Sequence, residues 1–251
     1  MLRKLNGLII KVIAIIGIII SALFTLNGSI TMTSSTSGLI NSGLNKAASN
    51  SGNEGVQTGV QLFQSLGLES LIANQLPKKI TLKTSLTKFK QTAQSIQTNH
   101  SVTANDFDLK NSTDQEKILN DVLVKLANNE IQENKETFNQ IAQYYQLGYY
   151  IILFLYLIAI IMVLFGNRGA IIPLLIASVG SYEILKYGST QAMESLQQTL
   201  YSGIKINLGG EFMTSVTIAI IISIGWLFLA KVGSKKKVSS KPAQPHYKHQ
   251  A

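Results

Sequence analysis

Glu183 is the one acidic residue that falls inside a long apolar stretch of the 251-residue chain. A carboxylate held in a bilayer is costly enough to point by default to an ion or proton path. Its place about one turn from the end of that stretch, beside Tyr182 and Lys186, favours an interfacial carboxylate that reaches water or pairs with the lysine. Ser85 and Lys88 match S-x-x-K, in which a lysine one turn away could take the serine proton, but neither S-D-N nor K-T-G accompanies them. His246 and His249 have metal-ligand spacing without any nearby carboxylate, so an incidental pair in a tail is the better account.

The close acidic pairs Asp106 with Asp108 and Asp114 with Glu116 fall in an Asn/Asp-rich loop and at a helix start, where turn and dipole roles explain them. The stretch 203–210 lacks the Lys-Ser/Thr ending of a phosphate loop, and the D-x-D-x-D-G calcium pattern is absent. Asn27, Asn99 and Asn111 begin N-x-S/T triplets that matter only in a glycosylating route. With no cysteine, thiolate chemistry and disulfides are excluded. The expectation is therefore a non-enzymatic protein, with no catalytic residue, no cofactor and no metal site.

The elements that would position any of these groups are set by hydrophobicity. The chain is 46% hydrophobic and 14% charged, and the apolar residues gather in four blocks at 8–26, 147–166, 169–187 and 213–232. Each is close to the ~20 residues that cross a bilayer's hydrocarbon. The fold class expected is an all-α membrane protein with four transmembrane helices and an α-helical extracytoplasmic domain between the first and second. The first block could also be the core of a signal peptide, but it is long for one and ends without an A-x-A site, so it reads as a retained anchor.

Charge fixes the expected orientation, because Lys and Arg accumulate on the cytoplasmic side of short loops. Residues 1–7, the turn 167–168, the tail 233–251, Lys11 and Lys231 together carry ten basic residues and no acidic one. The rest of the chain holds twelve basic and all thirteen acidic residues, so the net +9 divides into +10 and −1. Both termini are expected in the cytoplasm, with 27–146 and 188–212 outside, in a plasma membrane of bacterial type. Lys11 should snorkel to headgroups, and Lys235, Lys236 and Lys237 should contact anionic lipid at roughly 1 kcal/mol each. The charge excess is topological, so nucleic acid is not an expected partner.

Small side chains at helical spacing mark packing faces in lipid. They recur as Ala14, Gly17, Ser21 and Thr25 in the first span, Ala170, Ala177 and Ser181 in the third, and Ser215, Ala219, Ser223 and Ala230 in the fourth. The second span is bulky nearly all round, with only Ala159 in its middle, and reads as the most lipid-exposed. Pro173 lies in the first turns of the third, where a missing N–H costs least.

Outside, 27–59 is rich in Ser, Thr, Asn and Gly and reads as flexible. Helices are expected from Val60 to before Pro77 and over 80–96, where a strand reading of 78–90 competes. A single long helix should start at the capping box Thr113 to Glu116 and run into the second span. Met193, Leu196, Leu200 and Ile204 predict an amphipathic helix in the second loop. The layout resembles tetraspan proteins in architecture alone: the large loop follows the first span, not the third, and the cysteine motifs of tetraspanins and claudins are missing.

Function follows by allocation of residues: a multi-pass membrane protein that presents its external domain for interaction or scaffolding at the cell envelope. Its partners are the bilayer, a protein or envelope component bound through 60–146, and a second copy of the chain. The competing expectation is a transporter or channel component, an accessory subunit, or a toxin-immunity membrane protein, with Glu183 as its intramembrane polar residue.

Overall fold

The computed structural model describes residues 2–109 and 113–233; Lys235, Lys236 and Lys237, and the pair His246 and His249, lie outside the described residues. Among the described residues, four helical segments are long and apolar enough to cross a membrane, at Gly7–Asn27, Lys135–Leu164, Arg168–Thr199 and Gly210–Phe228, so the protein is membrane-embedded. They belong to α1 (Leu2–Asn27), α7 (Lys135–Leu164), a composite third span and α10 (Gly210–Gly233). At 1.5 Å per residue, the 30 residues of α7 measure about 45 Å. That exceeds the ~30 Å of hydrocarbon, so α7 projects beyond the bundle.

The third span is not a uniform helix. A 3₁₀ turn (Arg168–Ala170) leads into α8 (Ile171–Leu175), which holds Pro173. A wide π turn follows at Ile176–Gly180, and then α9 (Ser181–Thr199), which runs without a break through Gly188. The projecting end of this helix thus carries Met193 and Leu196 of the expected amphipathic segment, whereas Leu200 and Ile204 fall beyond its last residue, in the connection to the next strand.

The small-residue faces meet as expected. Ala14, Ser21, Thr25, Ala159, Ala170, Ala177, Ser181, Ser215, Ala219 and Ser223 are all buried. Because α1 and α10 run antiparallel, Gly17 lies against Ile222, and a Cβ there would overlap that side chain. The large apolar residues of the spans, such as Ile13, Leu153, Phe154 and Ile221, face outward, as lipid-facing positions require.

One end of the bundle is tied by polar bonds to the turn at Asn167. The Trp226 indole N–H donates to the Asn167 carbonyl at 2.9 Å. The Lys11 ammonium donates to the Leu164 carbonyl at 2.7 Å, satisfying a carbonyl that the end of α7 leaves free. Lys11 therefore caps a neighbouring helix, where the sequence suggested snorkelling to headgroups.

At the other end the chain builds a three-stranded antiparallel sheet, a departure within a mainly helical protein. Its order is β2 (Lys79–Thr84), β1 (Ile30–Ser35), β3 (Lys205–Leu208). The register pairs Ile30 with both Thr84 and Leu208, and Met32 with both Leu82 and Ile206. The segment expected to be flexible thus supplies the central strand, whose backbone groups are satisfied on both edges. Ser35, the last residue of β1, accepts the Gly38 N–H at 2.9 Å and so starts α2 (Thr36–Asn50).

The expected helix after Val60 is split into α3 (Glu54–Ser65) and α4 (Leu68–Gln75) by Gly67, whose φ of 68° is left-handed. The ambiguous stretch after Pro77 contains both alternatives in turn: β2, then α5 (Leu86–Asn99). Ser85 caps α5 through the Lys88 N–H at 3.2 Å.

Thr113 starts α6 (Asp114–Glu133) as expected, accepting the Glu116 N–H at 3.1 Å. The long helix then breaks at Asn134, whose φ of −117° and ψ of 34° are not helical. Its carboxamide bonds back to the Glu130 carboxylate at 2.9 Å, an alternative to helix geometry that Asn side chains favour. The projecting turns of α7 are covered by α5: Phe89 and Tyr145 stack at 4.5 Å, and the Tyr145 hydroxyl donates to the Leu86 carbonyl at 3.2 Å.

Candidate functional site

The four spans meet in a cluster of buried hydroxyls. Ser21 and Thr25, one turn apart on α1, meet Tyr156 of α7, Ser178 of the π turn and Ser215 of α10. Each of the five is at most 2% exposed, so water does not compete for their bonds. Ser215 Oγ is the hub, 2.6 Å from Thr25 Oγ1, 2.8 Å from Ser21 Oγ and 3.1 Å from Ser178 Oγ. Thr25 Oγ1 also lies 2.8 Å from the Tyr156 hydroxyl.

Proton accounting orients the group, since a hydroxyl has one donor and two acceptor sites. A carbonyl can only accept. Ser215 Oγ lies 2.8 Å from the Ser21 carbonyl and Ser21 Oγ lies 3.2 Å from the Ser215 carbonyl. With Ser215's one proton directed to the Ser21 carbonyl and Ser21's to the Ser215 carbonyl, the two lone pairs of Ser215 Oγ accept from Thr25 and Ser178. Serine in a helix usually bonds the carbonyl one turn back; Ser181 does so, to Ala177 at 2.5 Å, inside the region widened by the π turn. Ser21, Ser178 and Ser215 instead bond across helices.

Nothing in the cluster carries a formal charge, and every member finds a partner within it. A serine nucleophile needs an adjacent base, and the cluster's members are serines, a threonine and a tyrosine. Its chemistry is hydrogen bonding: it fixes the mutual height and rotation of four helices. π turns are frequent at functional sites, and here the turn sets Ser178 opposite Ser215.

Directly above the cluster, the membrane helices pass into the sheet. Gly209 N–H donates to the Ser29 carbonyl at 2.6 Å, and Ser29 Oγ donates to the Glu211 carboxylate at 3.2 and 3.3 Å. Phe212 is buried with its ring against Gly28, where a Cβ would collide with it. Glu211 sits in the first turn of α10, where a negative charge is favourable. Thr87 of α5 adds a bond from its hydroxyl to the Leu26 carbonyl at 3.0 Å.

Comparison with protein-family models, with curated proteins and with solved structures gives no match.

The structure separates the residues that the sequence singled out. Glu183 is exposed on α9 and takes no part in the hydroxyl cluster. Lys186 stands over the Tyr182 ring, 6.0 Å from its centroid, and makes no ion pair with Glu183. Lys88 pairs with Asp108 at 2.6 Å, and Ser85 is a helix cap, so S-x-x-K has a structural account. Asp106 accepts from the Thr103 N–H and hydroxyl, at 2.7 and 2.8 Å, as a turn residue should. Among the described residues, no group of three or more His, Asp or Glu is placed to hold a metal ion.

Sequence reasoning found Ser21, Thr25 and Ser215 as packing residues and missed Tyr156 and Ser178. The signal for Tyr156 was available: it is the one tyrosine deep within the second span, and a buried phenol needs a partner. Ser178 had no such signal, because the π turn shifts the helical phase that spacing arguments assume.

Proposed function

We propose that the protein is a non-enzymatic, multi-pass membrane protein that holds a structured extracytoplasmic domain at the cell envelope for interaction with another component. The observation that carries this reading is the unbroken passage of α1 into β1 and of β3 into α10, with β1 and β3 paired to each other. The external layer is thereby built on the membrane bundle through backbone bonds on one side and the hydroxyl cluster on the other, which suits a rigid mount more than a tethered module. The charge division supports the orientation, with both termini in the cytoplasm of a bacterial-type cell. Leu62, Leu66 and Leu71 of the α3–α4 region are 59%, 62% and 58% exposed outside the spans, and they supply an apolar surface for a partner.

Photo-crosslinkers placed at Leu62 and Leu71 in the full-length chain, in intact cells, test the reading. Discrete adducts that vanish when Leu66 is changed to Asp support it. No adduct, together with ion or proton flux in reconstituted vesicles that Glu183→Gln abolishes, would replace it with the transport reading.

A further inference from the structure

The sheet above the bundle has two unlike faces, because side chains alternate along a strand and the register carries each set across all three. Ile30, Met32, Ile80, Leu82 and Ile206 share one face, where Ile80 is buried. The other holds Lys79, Thr81 and Lys83 of β2, Thr31 and Thr33 of β1, and Lys205 of β3. All three lysines are exposed, and the three strands contain no Asp or Glu.

The lysines are spread around Thr33. Thr33 pairs with Thr81 on one side and Lys205 on the other, and Lys79 and Lys83 flank Thr81 along β2. At about 3.3 Å per residue those two are ~13 Å apart, and β3 lies two strand spacings, ~10 Å, across the sheet. Each ammonium rides on a flexible four-carbon stem, so three cations reach over a floor of threonine hydroxyls. None of them forms an ion pair among the described residues. Glu211 acts on Lys83 from the bundle end of the sheet, but its carboxylate already receives Ser29 Oγ. Asp108 and Glu116 line a depression along the outer edge of β2, and Asp108 is paired with Lys88. Positive charge is therefore left over β1 and β3, within external segments whose net charge is −1. Charge on an edge strand deters pairing with another chain, a purpose that either sign would serve; the lack of carboxylates gives this face its sign.

Complementarity calls for an anionic occupant, and the face narrows which kind. A single small ion would gain little, since an isolated ion pair in water is weak; a linear ligand that meets several lysines at once raises the effective concentration at each. Protein interfaces centre on aromatic and arginine anchors and are poor in lysine, whereas this face offers lysine and threonine. A bilayer surface meets the sheet where α1 ends and α10 begins, and the rows from Lys83 to Lys79 lead away from that end. Lysine serves as a point charge for phosphate. We propose that the lysine–threonine face of the sheet docks a linear polymer with a phosphate in each repeat, laid across β1, its phosphate oxygens accepting from Lys79, Lys83, Lys205 and Thr33. The inference deepens the interaction role proposed above and rests on the external placement of the sheet.

The test uses the full-length protein in nanodiscs of neutral lipid, with a fluorescently labelled inorganic polyphosphate chain as probe, read by anisotropy. Binding is expected, and it should weaken as salt is raised. Lys79→Gln and Lys205→Gln should each weaken it by about two- to fivefold, the range of an exposed ion pair, and adding Lys83→Gln to both should abolish it. Lys205→Arg should keep the wild-type affinity, and so should Lys135→Gln, at an exposed lysine on the first residue of α7. All variants should keep the wild-type melting temperature, because the exchanged side chains are exposed. No binding, equal binding by the three-lysine variant, a poly-glutamate chain of matched length binding as tightly, or displacement of the polymer by anionic vesicles at matched phosphate would overturn the proposal. Reporter fusions at Ser112 keep the two readings apart: an external report with no polyphosphate binding sinks the docking face alone, whereas an internal report sinks the extracytoplasmic placement itself.

Discussion

Ser21 and Ser215 each place a hydroxyl on the other's backbone carbonyl, at 3.2 and 2.8 Å, across the α1–α10 interface. Reciprocal bonds of this kind require the two backbones to approach closely, which the small residues on both faces permit. Ser215→Ala should therefore destabilise the bundle by about 1–2 kcal/mol in a denaturant titration in detergent, at the upper end for interhelical bonds in membranes. Ser223→Ala should be nearly neutral, because the equally buried Ser223 hydroxyl has no partner among the described residues. Equal losses for the two serines would show that the cluster contributes nothing specific.

Only glycine fits at position 17, because Ile222 fills the space a Cβ would need. Gly17→Ala should lower stability by about 1–3 kcal/mol, the usual cost of overpacking, and Ile222→Val should recover part of that loss. If the second change adds to the first instead of offsetting it, the close approach of α1 and α10 is wrong.

Trp226 joins α10 to the turn between the second and third spans through its bond to the Asn167 carbonyl. Trp226→Phe keeps an aromatic ring but removes the donor and part of the buried volume, at an expected cost of about 1–3 kcal/mol. Fluorescence of the wild-type protein offers an independent check, since this is the sole tryptophan in the chain. A buried indole, 5% exposed, should be shielded from aqueous quenchers, and ready quenching by iodide would contradict its placement.

The absence of cysteine gives a clean background for testing the sheet. Thr31 pairs with Asn207 and Thr33 with Lys205. A Thr31→Cys, Asn207→Cys protein should form an intramolecular disulfide on mild oxidation, and Thr31→Cys with Lys205→Cys, two residues out of register, should form far less, given the tight Cα separation a disulfide requires. Preferential bridging of the offset pair would show a shifted ladder.

Orientation is tested by reporters at Ser112 and after Ala251. Opposite sides are expected from the charge division. Signals from one side would remove the four-crossing topology, whatever the fate of the bundle contacts.

Much of the membrane part was legible in the chain because a bilayer imposes two simple demands: enough apolar residues to cross it, and small ones where helices touch. Ala14, Ser21, Ala177 and Ala219 could be assigned to packing faces on spacing alone, and all prove buried. Lys11 stands out as a charge in the early turns of an apolar helix, but its partner, the Leu164 carbonyl, lies 153 positions away and has no local signature.

What only the tertiary structure decided is how distant segments complete one another. The β1 segment is a short polar run that looks unable to order itself; it becomes a central strand because β2 and β3, on either side of two spans, supply its two neighbours. Ser21 and Ser215 stand 194 positions apart, and each by itself is one more small residue in a membrane helix. Periodicity reports which face a residue occupies, since that depends on its neighbours in the chain. It carries no information about which other face arrives there, because a hydrogen bond between two hydroxyls is fixed by their separation in space.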